Sequence, residues 1–137
     1  MRRKNYVPLH FLSKGVALMN TMETIAKGAK NIPDLFIEPV VERSLAQTRA
    51  DICLKCPLHI KGSAVVGAAA AVIKKALEIK NLANLRVAGE KQLRTCSVCQ
   101  CEMRLKIWEP RAKILQNTTD EELINFHRDC WIRSEEL

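Results

Sequence analysis

The segments CLKC at residues 53–56 and CSVCQC at residues 96–101 decide the fold expected for this chain, together with a sixth cysteine, Cys130. Each segment contains two cysteines separated by two residues, a spacing that lets both sulfurs face one ion from a tight turn. Two distant pairs of this kind are typical of a structural zinc site, because Zn²⁺ accepts four thiolates tetrahedrally. Four protein thiolates leave no open position for a substrate, so the pattern points away from catalysis.

Six cysteines exceed the four ligands of one tetrahedral zinc site. The simplest assignment takes the first pair and two sulfurs from residues 96–101, with Cys130 as a replacement for one of these. Shared thiolates and a binuclear cluster are alternatives. His59 and His127 each lie three residues from a cysteine and are further candidates, although a lone histidine is more often structural. The candidate zinc ligands are Cys53, Cys56, Cys96, Cys99, Cys101 and Cys130.

Length and composition indicate one small domain outside the membrane. A chain of 137 residues fits one domain. Aromatic residues make up only 4% of it, so a core of Ala, Val, Ile and Leu would gain from a metal staple. The longest apolar run, residues 64–73, is too short to span a bilayer. No signal-peptide pattern follows the basic start, so we expect a cytosolic setting, where thiols bind metal in preference to forming disulfides.

The net charge of +7 is unevenly distributed. Residues 51–113 contain twelve Lys and Arg against five Asp and Glu, whereas residues 114–137 contain an excess of acids. This balance allows contact with nucleic acid. A solvated basic surface, or one that meets an acidic protein partner, explains the same charges.

The chain divides into an N-terminal arm, residues 1–39, and a cysteine-rich domain, residues 40–137. The arm contains three prolines and one candidate helix, residues 16–30. Leu35, Phe36 and Ile37 lie between two prolines, which predicts an extended segment that docks onto another surface. We expect neighbouring subunits to hold this arm in place.

The cysteine-rich domain is predicted to be mainly α with a short β element, a small zinc-knuckle or ribbon-like domain. Helices are expected at residues 40–53 and 63–82, the second with Ser63 as its N-cap, and residues 84–94 as a loop. Strict alternation of apolar and polar residues over 102–108 predicts a half-buried strand. Thr119 and Glu122 fit a capping box, and the helix that follows would place Leu123, Phe126 or His127, and Cys130 on one face.

Several quoted segments resemble a group of small cysteine-rich proteins encoded in bacteriophage and prophage genomes. They are RADICLKCP at 49–57, LRTCSVCQC at 93–101, LK at 105–106 and CWI at 130–132. The resemblance covers about residues 48–133 and implies a phage setting and a metal knuckle, with no established activity. His59 stands where an asparagine is expected and His127 lies in a variable stretch, which leaves the six cysteines as the shared set.

No catalytic constellation competes with the metal motif. The chain has no nucleophile elbow, glycine-rich phosphate loop or zinc-deaminase signature. We expect a non-catalytic, zinc-stabilised structural protein of a phage virion or its assembly, located in the virion or the host cytoplasm. Its arm would contact other virion or assembly proteins in an oligomer or larger complex. The alternatives are a zinc-knuckle regulator that binds nucleic acid and an inhibitor that docks on a host protein.

Overall fold

The computed structural model describes residues 27–135, which are mainly helical with one short two-stranded sheet. Residues 27–29 are helical. The elements that follow are α1 (Ile32–Ile37), α2 (Arg43–Lys55), β1 (His59–Ile60), α3 (Ala64–Asn81), a 3₁₀ turn (Glu90–Gln92), β2 (Thr95–Cys96), α4 (Met103–Lys106), α5 (Arg111–Gln116), α6 (Asp120–Asn125) and α7 (Trp131–Ser134). The predicted class, mainly α with a short β element, is therefore confirmed. No helix within residues 27–135 is long and apolar enough to cross a bilayer.

Both predicted long helices are present, although α2 spans Arg43–Lys55 where residues 40–53 were predicted. Helix α2 buries Ala46 and Ala50 and ends one residue before Cys56. Helix α3 begins after Ser63, whose hydroxyl accepts a hydrogen bond from the Val66 N–H, as the N-cap prediction requires. It ends at Leu82, which adopts a left-handed conformation with φ of 50°.

The sheet joins the two cysteine segments. Strands β1 and β2 are antiparallel, with His59 opposite Cys96. The hairpin-like turn after β2 closes on itself, because the Gln100 N–H donates to the Cys96 carbonyl at 2.8 Å. Gln100 has φ of 60°, so the turn reverses sharply between the last two cysteines of the segment. The residues after Cys56 are thereby held beside the segment that carries the second group of cysteines.

The predicted strand at residues 102–108 is wrong, because Met103–Lys106 forms helix α4. Apolar and polar residues alternate there, but the polar ones are not exposed. Glu102 and Lys106 are both buried, and Glu102 accepts a hydrogen bond from Arg104 at 2.9 Å. The period-2 pattern signals a half-buried strand only when its polar residues face water. Here they have partners inside the protein.

The helix predicted after Thr119 begins where expected but ends before Cys130. The Thr119 hydroxyl accepts a hydrogen bond from the Glu122 N–H at 3.1 Å, which confirms the N-cap of α6. The Glu122 carboxylate, however, pairs with Lys30 at 2.6 Å. Phe126 has extended backbone and ends the helix, and Cys130 becomes the residue before α7. Cys130 therefore does not share a helix face with Phe126.

The described end of the predicted arm packs against the domain. Leu35, Phe36 and Ile37 were expected to be extended, but they lie in α1, where Leu35 is buried. Pro33 is compatible with this helix because the first turn needs no proline N–H. The Asn117 side chain donates to Asp34 at 2.7 Å and ties α1 to the C-terminal half. Most of the predicted helix at residues 16–30, and the arm up to residue 26, lie outside the described residues.

Candidate metal centre

Four of the six cysteines border one small cavity of about 20 Å³. Cys53 and Cys56 come from the end of α2, Cys96 from β2, and Cys130 from the turn before α7. Three separate segments of chain thus place thiols around the same space. The remaining lining residues are His59 and five largely apolar side chains. These five are Ile52, Met103, Phe126, Trp131 and Ile132.

The thiols border this cavity without forming a closed ligand set. Among residues 27–135, no three Cys, His, Asp or Glu side chains are arranged so that they could hold a metal ion. The Cys53 thiol instead lies 3.6 Å from the Met103 sulfur. A shared cavity and a soft donor set suit zinc, whereas convergence on one ion would require the side chains to reorient.

The other two cysteines, Cys99 and Cys101, lie beside a buried lysine. Lys106 Nζ donates to the Cys99 sulfur at 3.1 Å and to the Cys101 sulfur at 3.6 Å. Asn31 Nδ2 also donates to Cys101, at 3.6 Å. All four residues are buried. This second group of thiols is therefore supplied with hydrogen-bond donors and does not border the cysteine cavity.

Burial and hydrogen bonding set the protonation of three of the cavity thiols. Burial raises the pKa of Cys53 to about 12 and also raises the pKa of Cys130. Hydrogen bonding with Cys99, followed by burial, raises the pKa of Cys96. At neutral pH these three side chains are thiols. A metal that binds them must displace their protons, so metal affinity here depends strongly on pH.

Cys99 is the exception among the buried thiols. Hydrogen bonds from Cys101 and Cys96, and the charge of Lys106, hold its pKa well below the ordinary value. Burial alone would lower the pKa of Lys106, but the sulfurs of Cys99 and Cys101 outweigh it, and the pKa of the ammonium is raised. Lys106 is therefore a buried donor to the Cys99 sulfur, a contact that stabilises the charged forms of both side chains.

The two candidate histidines occupy different places. His59 lines the cavity, but its Nε2 accepts a hydrogen bond from the Arg94 N–H at 2.6 Å. Burial lowers the pKa of His59, so the ring is neutral and that lone pair is already engaged. His127 does not line the cavity, and its Nδ1 accepts from the Asp129 N–H at 3.2 Å. The geometry thus favours cysteines as ligands.

Trp131 and Lys106 donate hydrogen bonds to cysteine sulfurs, a role that the sequence analysis did not predict. Trp131 donates its indole N–H to the Cys53 sulfur at 3.2 Å, a contact that would stabilise a thiolate there. Lys106 does the same for Cys99. Nothing in the spacing of the sequence predicts that Lys106 is buried beside two cysteines or that Trp131 contacts Cys53.

No protein-family model, no curated protein and no solved structure matches this chain.

Proposed function

We propose that this protein is a non-catalytic structural protein whose cysteine cavity binds one zinc ion and whose surface makes contacts within a larger assembly. Zinc would be held by Cys53, Cys56, Cys96 and Cys130 and would cross-link three segments of the domain. The phage virion, or an assembly step in the host cytoplasm, is the setting that the sequence resemblance implies. The proposal depends most on one observation, that four thiols from three segments border a single cavity.

The chemistry of this donor set supports zinc as the ion. Thiolates are soft ligands, and a set of four closes the coordination of Zn²⁺. The apolar walls and the indole N–H of Trp131 would exclude water and stabilise the charge on sulfur. When bound, zinc supplies a cross-link between the end of α2, β2 and the residue before α7, and it exposes no position to a substrate.

An exposed apolar stripe on α3 supports the role in protein contacts. Val65, Val72 and Ile79 are 72%, 71% and 73% exposed and follow one another at seven-residue intervals, so they share one helix face. Leu82, the residue after the end of α3, is 93% exposed. A row of large apolar side chains in water is costly, and such rows mark interaction surfaces.

Metal analysis of cysteine variants tests the zinc site. Elemental analysis of the purified chain should find one zinc ion per chain. Cys130→Ser should lose it, because Cys130 borders the cavity. Cys101→Ser is the matched control: it removes a buried cysteine outside the cavity and should retain zinc. Retention by Cys130→Ser together with loss by Cys101→Ser would refute the assignment.

Particle analysis tests the structural role. Mass spectrometry of purified virions of the phage that encodes the chain should detect it in stoichiometric amounts. Salt-sensitive binding of DNA or RNA by the chain, with absence from particles, would favour the nucleic-acid regulator instead. Paired substitution of Val72 and Ile79 by Lys should abolish incorporation into particles while zinc content stays unchanged.

A further inference from the structure

A second cavity, of about 110 Å³, lies between α1, α3 and α4 and is separate from the cysteine cavity. Its walls are mostly aliphatic, and Val65, one of its lining residues, is 72% exposed, so the cavity opens to water at the start of α3. Engineered protein cavities of about 150 Å³ hold benzene, so this one has room for a small organic group. Its apolar walls include Ile32, Leu35, Val66, Ala69, Ala70, Ile73 and Leu105.

Buried acceptors without partners also line this cavity. Glu109 is 0% exposed, and among residues 27–135 neither of its carboxylate oxygens has a hydrogen-bond partner. The Asn31 Oδ1 is likewise buried and unpartnered within that range, while its amide nitrogen donates to Cys101. Native proteins satisfy nearly all buried polar atoms. A ligand that brings N–H donors into the cavity would satisfy these atoms.

The charges around the cavity favour a cation. Two of its lining residues, Glu102 and Glu109, are acidic, and one, Lys106, is basic. The Lys106 ammonium already donates to the sulfurs of Cys99 and Cys101. Within the described residues, the unpartnered polar atoms of the cavity are therefore the carboxyl oxygens of Glu109 and the Oδ1 of Asn31.

We propose that this cavity binds a small primary alkylammonium ion. Its nitrogen would donate to Glu109 and Asn31, and its alkyl chain would lie against Ala69, Ala70 and Ile73. An ammonium group has three N–H donors and no acceptor, which matches the unpartnered atoms. The same chemistry is carried by a free amine and by a lysine side chain. Burial first, and Asp34 second, raise the pKa of Glu109 to about 8, against the opposing charges of Lys106 and Arg49; a bound cation would favour its carboxylate.

Titration with n-butylamine, followed by ¹⁵N NMR of the full chain at about pH 7, tests this site. We expect saturable shifts at Asn31, Ala69 and Ala70. n-Butanol, which has the same chain but no charge, should bind at least about tenfold more weakly, and butyrate should not bind. Nα-acetyl-lysine amide in a parallel titration distinguishes a lysine side chain from a free amine, and binding of either supports the site.

Two variants separate this proposal from general damage to the fold. Glu109→Gln keeps the size of the side chain and should weaken n-butylamine binding about tenfold or more, whereas the exposed Glu121→Gln should leave it unchanged. Ala69→Phe should block the cavity mouth and abolish binding with no change in zinc content. No saturable binding of either amine, or equal binding of n-butanol and n-butylamine, would overturn the proposal without affecting the zinc assignment.

Discussion

Glu109→Gln should stabilise the protein, and the gain should grow as pH rises. Glu109 is fully buried and its pKa rises from 4.5 to about 8 on folding. A carboxyl with a raised folded pKa contributes stability below 4.5 that is lost progressively as pH rises toward 8. Glutamine has a similar shape and does not titrate, so it removes that loss.

The size of the effect follows from the pKa difference. Between the unfolded and the folded pKa of Glu109, each rise of about one pH unit lowers the free energy of unfolding by about 1.4 kcal/mol. The advantage of Glu109→Gln should therefore rise from about 1 kcal/mol at about pH 5.5 to about 3 kcal/mol at about pH 7. An unpartnered amide nitrogen adds a cost that does not depend on pH. The slope with pH, rather than the value at one pH, is thus the quantity to compare.

Urea unfolding at a series of pH values measures this slope. Both proteins should show the same dependence on urea, so midpoints convert directly to free energies of unfolding. Glu121→Gln, at an exposed position, is the control and should differ from the parent by a small, constant amount. A Glu109→Gln advantage that stays constant, or shrinks, as pH rises would refute the assignment of Glu109 as a buried, protonated carboxyl.

Four further outcomes follow from named contacts. Arg49→Leu removes donors to the carbonyls of Ile107 and Glu109 and a bidentate pair with Glu135, so the free energy of unfolding should fall by about 3–5 kcal/mol in urea; a loss below about 1 kcal/mol would contradict this. Gly28→Ala should lower the melting temperature, because a Cβ there would clash with the Gln100 carbonyl. Gly67→Ala should stabilise by up to about 1 kcal/mol, because its Cβ would contact only the movable tip of Arg104. A higher melting temperature for Gly28→Ala than for Gly67→Ala would contradict both expectations. Thr119→Ala should cost about 1 kcal/mol and Thr119→Ser much less, since serine retains the cap, and equal losses would argue against the cap. Strong chelators should lower the melting temperature of the parent chain and leave Cys130→Ser unaffected, and an unchanged parent would show that zinc is not structural.

Local signals account for the elements that were predicted correctly. The N-caps of Ser63 and Thr119 act within one helical turn, so their effect is visible in a short stretch of sequence. The errors arise where burial depends on distant partners. The alternation at residues 102–108 resembles a strand, but Lys106 is buried because two cysteine sulfurs lie next to it. The segment around Leu35 is helical because it packs onto a surface formed by later parts of the chain.

The donor chemistry of the candidate metal centre can be read from the sequence: six cysteines, four of them in two pairs with two-residue spacers, in a mainly helical chain with a short β element. Spacing constrains which sulfurs share a turn, because a spacer of two residues acts locally. Only the tertiary structure decided which cysteines share a cavity. Cys130 lies beside the same cavity as Cys53 because Trp131, the next residue, donates its indole N–H to the Cys53 sulfur. It also decided the burial of Glu109 and Lys106, because the free energy of a charge depends on neighbours that are remote in sequence.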